Sequence, residues 1–188
     1  VVFCDLRGFT AFSETAEHED LMRVLREFHE TVGSLIFKFE GTLEHFAGDG
    51  LMTIFNDPVP CPDPAAGAVR MAAAMRDAMK DLISRWNKLG HDLGFGVGIA
   101  VGYATMGQIG FEGRFHYGAI GSVLNLASRL CDNALAGQIL ITSRVYAEVE
   151  DLVDVEDNGS LDLKGFHKPV PTLNLVTLKE DTAEKGVA

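Results

Sequence analysis

Leu43-Glu44-His45-Phe46-Ala47-Gly48-Asp49-Gly50-Leu51-Met52-Thr53-Ile54-Phe55 is a pair of apolar runs split by a Gly-Asp-Gly turn. That pattern predicts a β-hairpin, with strands over Leu43 to Ala47 and Leu51 to Phe55. Hairpin strands are antiparallel neighbours in a sheet. Set among long helical segments, they favour an α+β sandwich over a doubly wound parallel sheet. The turn also puts Asp49 at a hairpin tip, open enough to bind something.

Working outward, Val1-Val2-Phe3-Cys4-Asp5 reads as a buried strand that also ends in an aspartate and runs into Leu6-Arg7-Gly8-Phe9-Thr10. An isolated buried carboxylate is costly. Two that converge repel each other unless a cation sits between them. Mg²⁺ suits such a pair, because it takes one or two carboxylates and completes its shell with substrate phosphates. The two strand-end aspartates therefore point to metal-assisted chemistry on a phosphorylated substrate.

Between them, Ser13 to Glu19 reads as a polar helix start. Leu21, Val24, Leu25, Phe28, Val32, Leu35, Ile36 and Phe39 then recur at helical spacing up to Gly41. Downstream of the hairpin, Pro58, Pro60, Pro62 and Pro64 mark a stiff connection. A second long helix is expected over Ala65 to Trp86, a glycine-rich strand over Phe95 to Ala104, and a flexible loop or arm over Gly107 to Phe115. A helix over Val123 to Cys131 follows, then a strand over Gln138 to Thr142 and a Ser- or Thr-capped helix over Ser143 to Val149. Strands over Val153 to Leu163 and Pro171 to Leu178 close the fold. One domain over 1–178 and a frayed polar tail over 179–188 are expected.

The 188 residues are 47% hydrophobic and 23% charged, enough to fill a core. A net charge of −11 argues against a nucleic-acid face, which needs clustered Lys and Arg. It leaves room for an anionic nucleotide held through a metal. Cys4, Cys61 and Cys131 show no zinc spacing and read as free thiols of a reducing compartment. No apolar run approaches the ~20 residues of a membrane span, so a cytoplasmic location is expected. The chain opens inside a strand, as would a piece of a longer, membrane-anchored or multidomain protein whose N-terminal regulatory region could include sensors or membrane spans.

Three further segments carry polar chemistry. Backbone N–H groups around Gly8-Phe9-Thr10 suit phosphate oxygens, although Thr10 could simply cap the helix that follows. Asn125 and Arg129, four residues apart, share a helix face. Arg offers a fork for phosphate and Asn a donor and an acceptor for a sugar hydroxyl, whereas a solvated helix face is the plainer reading. Lys164 offers a point charge to a phosphate or merely decorates a turn. Of the six histidines, His29 is expected on the long helix, at its surface or partly buried, and His18, His91 and His167 in solvated loops.

Taken in order, Phe3-Cys4-Asp5-Leu6-Arg7-Gly8-Phe9-Thr10, Phe46-Ala47-Gly48-Asp49-Gly50-Leu51-Met52 and Gly121-Ser122-Val123-Leu124-Asn125-Leu126-Ala127-Ser128-Arg129-Leu130 resemble the catalytic domain of class III nucleotidyl cyclases. The resemblance covers about Val1 to Leu178. It implies a ferredoxin-like α+β domain with a mainly antiparallel sheet, acting as a head-to-tail homodimer with sites at the subunit interface. Asp5 and Asp49 match the aspartates for two divalent ions, Mg²⁺ or Mn²⁺, and the Leu6 carbonyl matches a backbone ligand. Gly8, Phe9 and Thr10 match the triphosphate-binding turn, and Lys164 a triphosphate-binding Lys. Asn125 matches the ribose-orienting Asn, and Arg129 the Arg that stabilises the transition state. His45 and Gly118 fall at the purine-reading positions and reproduce neither the Lys and Asp pair of adenylyl enzymes nor the Glu and small-residue pair of guanylyl enzymes. His45 can donate or accept and so could serve either base, while Gly118, with no side chain, resembles some guanylyl enzymes, and Glu44 is adjacent. The expected reaction is ATP to cyclic AMP and pyrophosphate. GTP as substrate, or a silent nucleotide-binding regulatory domain, is the alternative. A diguanylate-forming domain would need a Gly-Gly-acidic-acidic-Phe turn, which Phe46 to Gly50 is not.

Overall fold

The computed structural model describes residues 1–179. Positions 180–188 of the expected tail lie outside the described residues. The chain folds as a mixed α+β sandwich, as expected. A seven-stranded sheet runs β2-β3-β1-β4-β7-β9-β8, and a separate two-stranded sheet is formed by β5 and β6. The elements in order are β1 (Val2–Arg7), α1 (Phe9–Thr15), α2 (His18–Lys38), β2 (Thr42–Ala47), β3 (Gly50–Ile54), α3 (Pro64–Lys88), β4 (Gly94–Ile99), β5 (Thr105–Phe111), β6 (Arg114–Ile120), α4 (Ser122–Asn133), β7 (Ile139–Thr142), α5 (Ser143–Val149), β8 (Val153–Leu161) and β9 (Val170–Leu178). Among the described residues only β4 and β7 pair in parallel; the other ladders of the sheet are antiparallel.

Side chains alternate across a strand, and this splits the sheet into two different faces. Val2, Cys4 and Leu6 of β1 and Phe95, Val97 and Ile99 of β4 join the main core. Val24, Phe28, Val32 and Ile36 of α2, and Val69, Met71, Met75, Met79 and Trp86 of α3, cover them there. The opposite face of β4 carries Gly94, Gly96 and Gly98. It is covered by α4, whose Val123 and Ala127 pack with Phe3 and Ala100. Gly98 permits that approach: a Cβ there would lie 2.2 Å from the Cys131 backbone nitrogen and 2.3 Å from the Ala127 carbonyl.

Local signals explain the element starts. The Asp63 side chain accepts from the Ala66 N–H at 3.0 Å, and Pro64 opens α3 with its fixed φ. Thr142 caps α5 by accepting from the Val145 N–H at 3.2 Å, the hydroxyl cap expected there.

Five expectations need correction. The first helical stretch is broken: Ala16 and Glu17 are extended, so α1 ends before α2 begins. Thr10 is not the cap of α1; Gly8 holds that place, at φ 79°. The strand from Phe95 stops at Ile99, where its pairing with Val2 and Ile141 runs out. The Gly107 to Phe115 segment is a regular hairpin, paired from Thr105↔Ile120 to Phe111↔Arg114. Gly110 permits a close backbone approach, since a Cβ there would lie 2.1 Å from the Arg114 carbonyl, and Gly113 takes the turn at φ 88°. His91, finally, is not a solvated loop residue: its side chain is 15% exposed and its ring meets Phe12 edge-on at 4.8 Å. No helix among the described residues is long and apolar enough to cross a membrane.

Candidate active site

Asp5 follows the pleat onto the α4 face of β1, between the core residues Cys4 and Leu6. The β1–β3 ladder sets Asp5 opposite Gly50, so the turn before β3 brings Asp49 alongside. Backbone bonds hold that turn. The Leu6 N–H donates to the Asp49 carbonyl at 3.2 Å. From α2, the His29 ring donates to the Gly48 carbonyl at 2.7 Å, and it packs against Phe46 at 4.2 Å.

The result is a cleft of about 210 Å³ lined by Asp5, Asp49, Gly50, Ser128, Cys131 and Asp132, among others. Asp5 Oδ1 is buried there without a hydrogen-bond partner. Burial first, and the negative charge of Asp49 second, push the Asp5 carboxyl from its usual range up to about 7. Arg7, with a guanidinium nitrogen 3.9 Å from Asp5 Oδ2, works in the other direction.

Two adjacent carboxylates with an orphaned oxygen are the donor set a hard divalent cation takes. Among the described residues no cluster of three or more His, Cys, Asp or Glu is present. The site is therefore a two-carboxylate one, which leaves coordination positions for backbone, water and phosphate oxygens. The residues fit the group expected of them.

Arg7 was not singled out from the sequence, although period two puts it on the same strand face as Asp5. Its guanidinium bonds to the Cys131 carbonyl and reaches the Cys131 Sγ at 3.3 Å. Gly96 leaves the room: a Cβ there would lie 2.6 Å from Arg7 Nε. Arg7 so ties the aspartate strand to the last turn of α4. Burial drives the Cys131 thiol up to about 12 and keeps it an inert packing group.

Asn125 and Arg129 lie on α4, as expected. Asn125 is exposed. Arg129 donates to Asp132 at 2.8 Å, one turn on. Neither forms an ion pair or hydrogen bond with Asp5 or Asp49 of the same chain. Lys164 is exposed in the loop between β8 and β9. Its neighbour Leu163 is buried with Leu130 and Ala134, which anchors the loop beside the end of α4. Gly8 turns the chain against the Asp92 carbonyl, 2.4 Å from where a Cβ would stand. Phe9 and Thr10 open α1 from that turn.

His45, on β2, is exposed. Gly118, on β6, faces Glu44: a Cβ at 118 would lie 2.7 Å from Glu44 Oε1. The two expected base-reading positions are thus brought to one edge, with Glu44 between them.

The comparisons with known proteins follow the same lines. The family described as "Adenylate and Guanylate cyclase catalytic domain" matches residues 1–177. The crystal structure of the adenylyl cyclase CyaB from P. aeruginosa is 37% identical, covers 96% of this chain and 94% of that one, and superposes with a TM-score of 0.90. The guanylyl cyclase Cya2 is 32% identical over 96% of this chain and 92% of that one, with a TM-score of 0.89. Adenylate cyclase 1 of Rhizobium meliloti (strain 1021) is 27% identical over 192 residues, which take in 100% of this chain and 29% of that protein. The chain spans less than a third of the first curated relatives it matches. Both nucleotide names occur among these relatives at similar distance. From its residues, its fold and this match, the chain belongs to the class III adenylate and guanylate cyclase catalytic domains.

Proposed function

We propose that this domain converts ATP to cyclic AMP and pyrophosphate, as a homodimer with two equivalent sites at its interface. The observation that carries the reading is the Asp5–Asp49 cleft with its orphaned carboxylate oxygen, set apart from an exposed Asn125 and Arg129 that engage neither aspartate of their own chain. One protomer supplies a metal half and a ribose and phosphate half, and a twofold partner completes each.

Asp5 and Asp49, with the Leu6 carbonyl as a backbone ligand, would hold two divalent ions. Bound there, such ions would supply a lowered pKa for the ribose 3′-hydroxyl and charge to offset the oxygens of the leaving pyrophosphate. Asn125 of one protomer orients the ribose, so that the 3′-oxygen faces the α-phosphorus in line with the leaving group. Arg129 meets the charge that develops on the α-phosphoryl oxygens. The amides at Gly8, Phe9 and Thr10, with Lys164, hold the β- and γ-phosphates. His45 and Gly118 border the base.

The test is an assay of the purified chain with ATP and with GTP, each with Mg²⁺ and Mn²⁺. Cyclic AMP with stoichiometric pyrophosphate is expected, in preference to cyclic GMP. A GTP preference would revise the base assignment. Tight nucleotide binding with no cyclic product would overturn catalysis in favour of a regulatory domain.

A further inference from the structure

We infer that Glu44 reads the purine, and that it selects adenine by accepting from the exocyclic amino group. The inference rests on the cyclase reading, which puts the base beside His45 and Gly118, and it deepens that reading.

The β2–β3 ladder slips at this residue. Leu43 pairs with Thr53 and His45 with Met52, so Glu44 is the extra residue of a β-bulge. A bulge re-aims a side chain. Here Leu43 and His45 are exposed while Glu44 is half-buried. Its Oε1 accepts from the Ala119 N–H at 3.2 Å. The same oxygen stands 2.7 Å from where a Cβ on Gly118 would be. The carboxylate therefore fills the place that a side chain at 118 would take, and glycine is required for it to sit there.

An ionised carboxylate only accepts. With Oε1 turned into β6, Oε2 has no partner among the described residues. One free acceptor beside His45 matches the adenine edge, where one amino donor lies next to one ring-nitrogen acceptor. Guanine presents two parallel donors, which call for both carboxylate oxygens, and a carbonyl that a carboxylate repels.

Glu44→Gln gives the sharpest test. The Ala119 N–H holds the amide oxygen, so the NH₂ group turns outward and replaces an acceptor with a donor. The kcat/KM for ATP is expected to fall by about ten- to a hundredfold, the cost of leaving one polar group unsatisfied, with GTP unchanged or improved. Gly118→Ala, which displaces the carboxylate, is expected to shift the ATP-to-GTP ratio in the same direction. An equal loss with both nucleotides, an unchanged ratio, or a wild-type preference for GTP overturns the inference and leaves Glu44 as a tie between strands. If the wild type makes no cyclic product at all, the cyclase reading fails separately. Calorimetric affinities for ATP and GTP in wild type and Glu44→Gln then decide: a shifted affinity ratio supports the inference and an unshifted one overturns it.

Discussion

Asp5 and Asp49 are held by backbone on several sides: the β1–β3 register, the Leu6–Asp49 bond, and the His29 ring on Gly48. Asn125 and Arg129 share an exposed helix face, where a single side-chain bond, Arg129 to Asp132, restrains the pair. The first region is finished within one chain, down to a buried carboxylate oxygen with no hydrogen-bond partner. The second is rigid in backbone and open in side chain. On the proposed mechanism this division follows from what each half must do. Ligands for an ion of near-ideal geometry must be fixed beforehand, whereas an arginine that meets charge in the transition state acts on a substrate held by another subunit.

The largest effects test whether the halves belong to different protomers' sites. Arg129→Ala is expected to keep the fold and lose about 10²–10³ in turnover, by analogy with a removed oxyanion donor. Asp49→Asn is expected to lose as much, through the metal. Mixing the two inactive variants should restore about a quarter of wild-type activity, because random exchange in a twofold dimer makes half the dimers hybrid and each hybrid keeps one intact site. Cyclic product measured before and after mixing is the check. No recovery would place both halves in one chain's site.

The aspartate half also has a pH signature. Asp5 titrates near 3.8 when unfolded and at about 7 in the folded, metal-free chain. Between those values the folded chain binds a proton that the unfolded chain does not. This contribution to stability is present in full below pH 3.8 and is lost as pH rises through 7. On the proposed mechanism a divalent ion competes with that proton for the same carboxylate. Its apparent affinity is expected to fall by up to about tenfold per pH unit below 7, as linkage requires. Melting temperatures of wild type and Asp5→Asn at pH 5 and 8, with and without Mg²⁺, are the measurement. The metal-free wild type should lose stability toward pH 8 relative to the variant, and Mg²⁺ should reverse that loss.

The seam between the regions is smaller in effect but more local. A methyl at 98 meets backbone of α4 on two sides, and backbone cannot turn aside as a side-chain tip can. Gly98→Ala is expected to cost about 1–3 kcal/mol, the range for overpacking. It should also lift α4, and activity should fall further than unfolding alone explains. Urea denaturation beside kcat at a temperature where the variant is folded separates the two.

Legibility from the sequence follows the same boundary. The hairpin, β1, the long helices and the Asn125-to-Arg129 face could be read because hydrophobic period and turn residues dictate them locally. The break at Ala16 and Glu17 could not, since nothing in their composition forbids helix; the chain simply turns there to bring α2 across the sheet. The glycines of the β5–β6 hairpin read as a loop signal, but in a regular ladder Gly110 serves close backbone approach and Gly113 takes the turn. Arg7 was missed, and Glu44 was seen only as a neighbour of the purine-reading positions, for a common reason. Their roles depend on glycines across a strand or sheet, Gly118 and Gly96, that yield space. Long-range vacated volume leaves no mark in a local pattern.

The smallest expected effect bears on the open half. Arg129 and Asp132 form an exposed i,i+3 pair, with side chains 40% and 50% accessible. Such pairs contribute about 0–1 kcal/mol, so Asp132→Asn should leave the melting temperature nearly unchanged. Its catalytic effect separates two uses of the pair. If Asp132 preorients the guanidinium for the substrate, removing it frees the side chain to sample other rotamers, and kcat falls a few-fold at constant KM. If the pair forms only while Arg129 lacks its phosphate, Asp132 competes with substrate, and its loss raises kcat/KM instead. Asp132 also borders the Asp5–Asp49 cleft, so a third result, a change in the Mg²⁺ concentration needed for activity, would show that the open half reaches into the closed one.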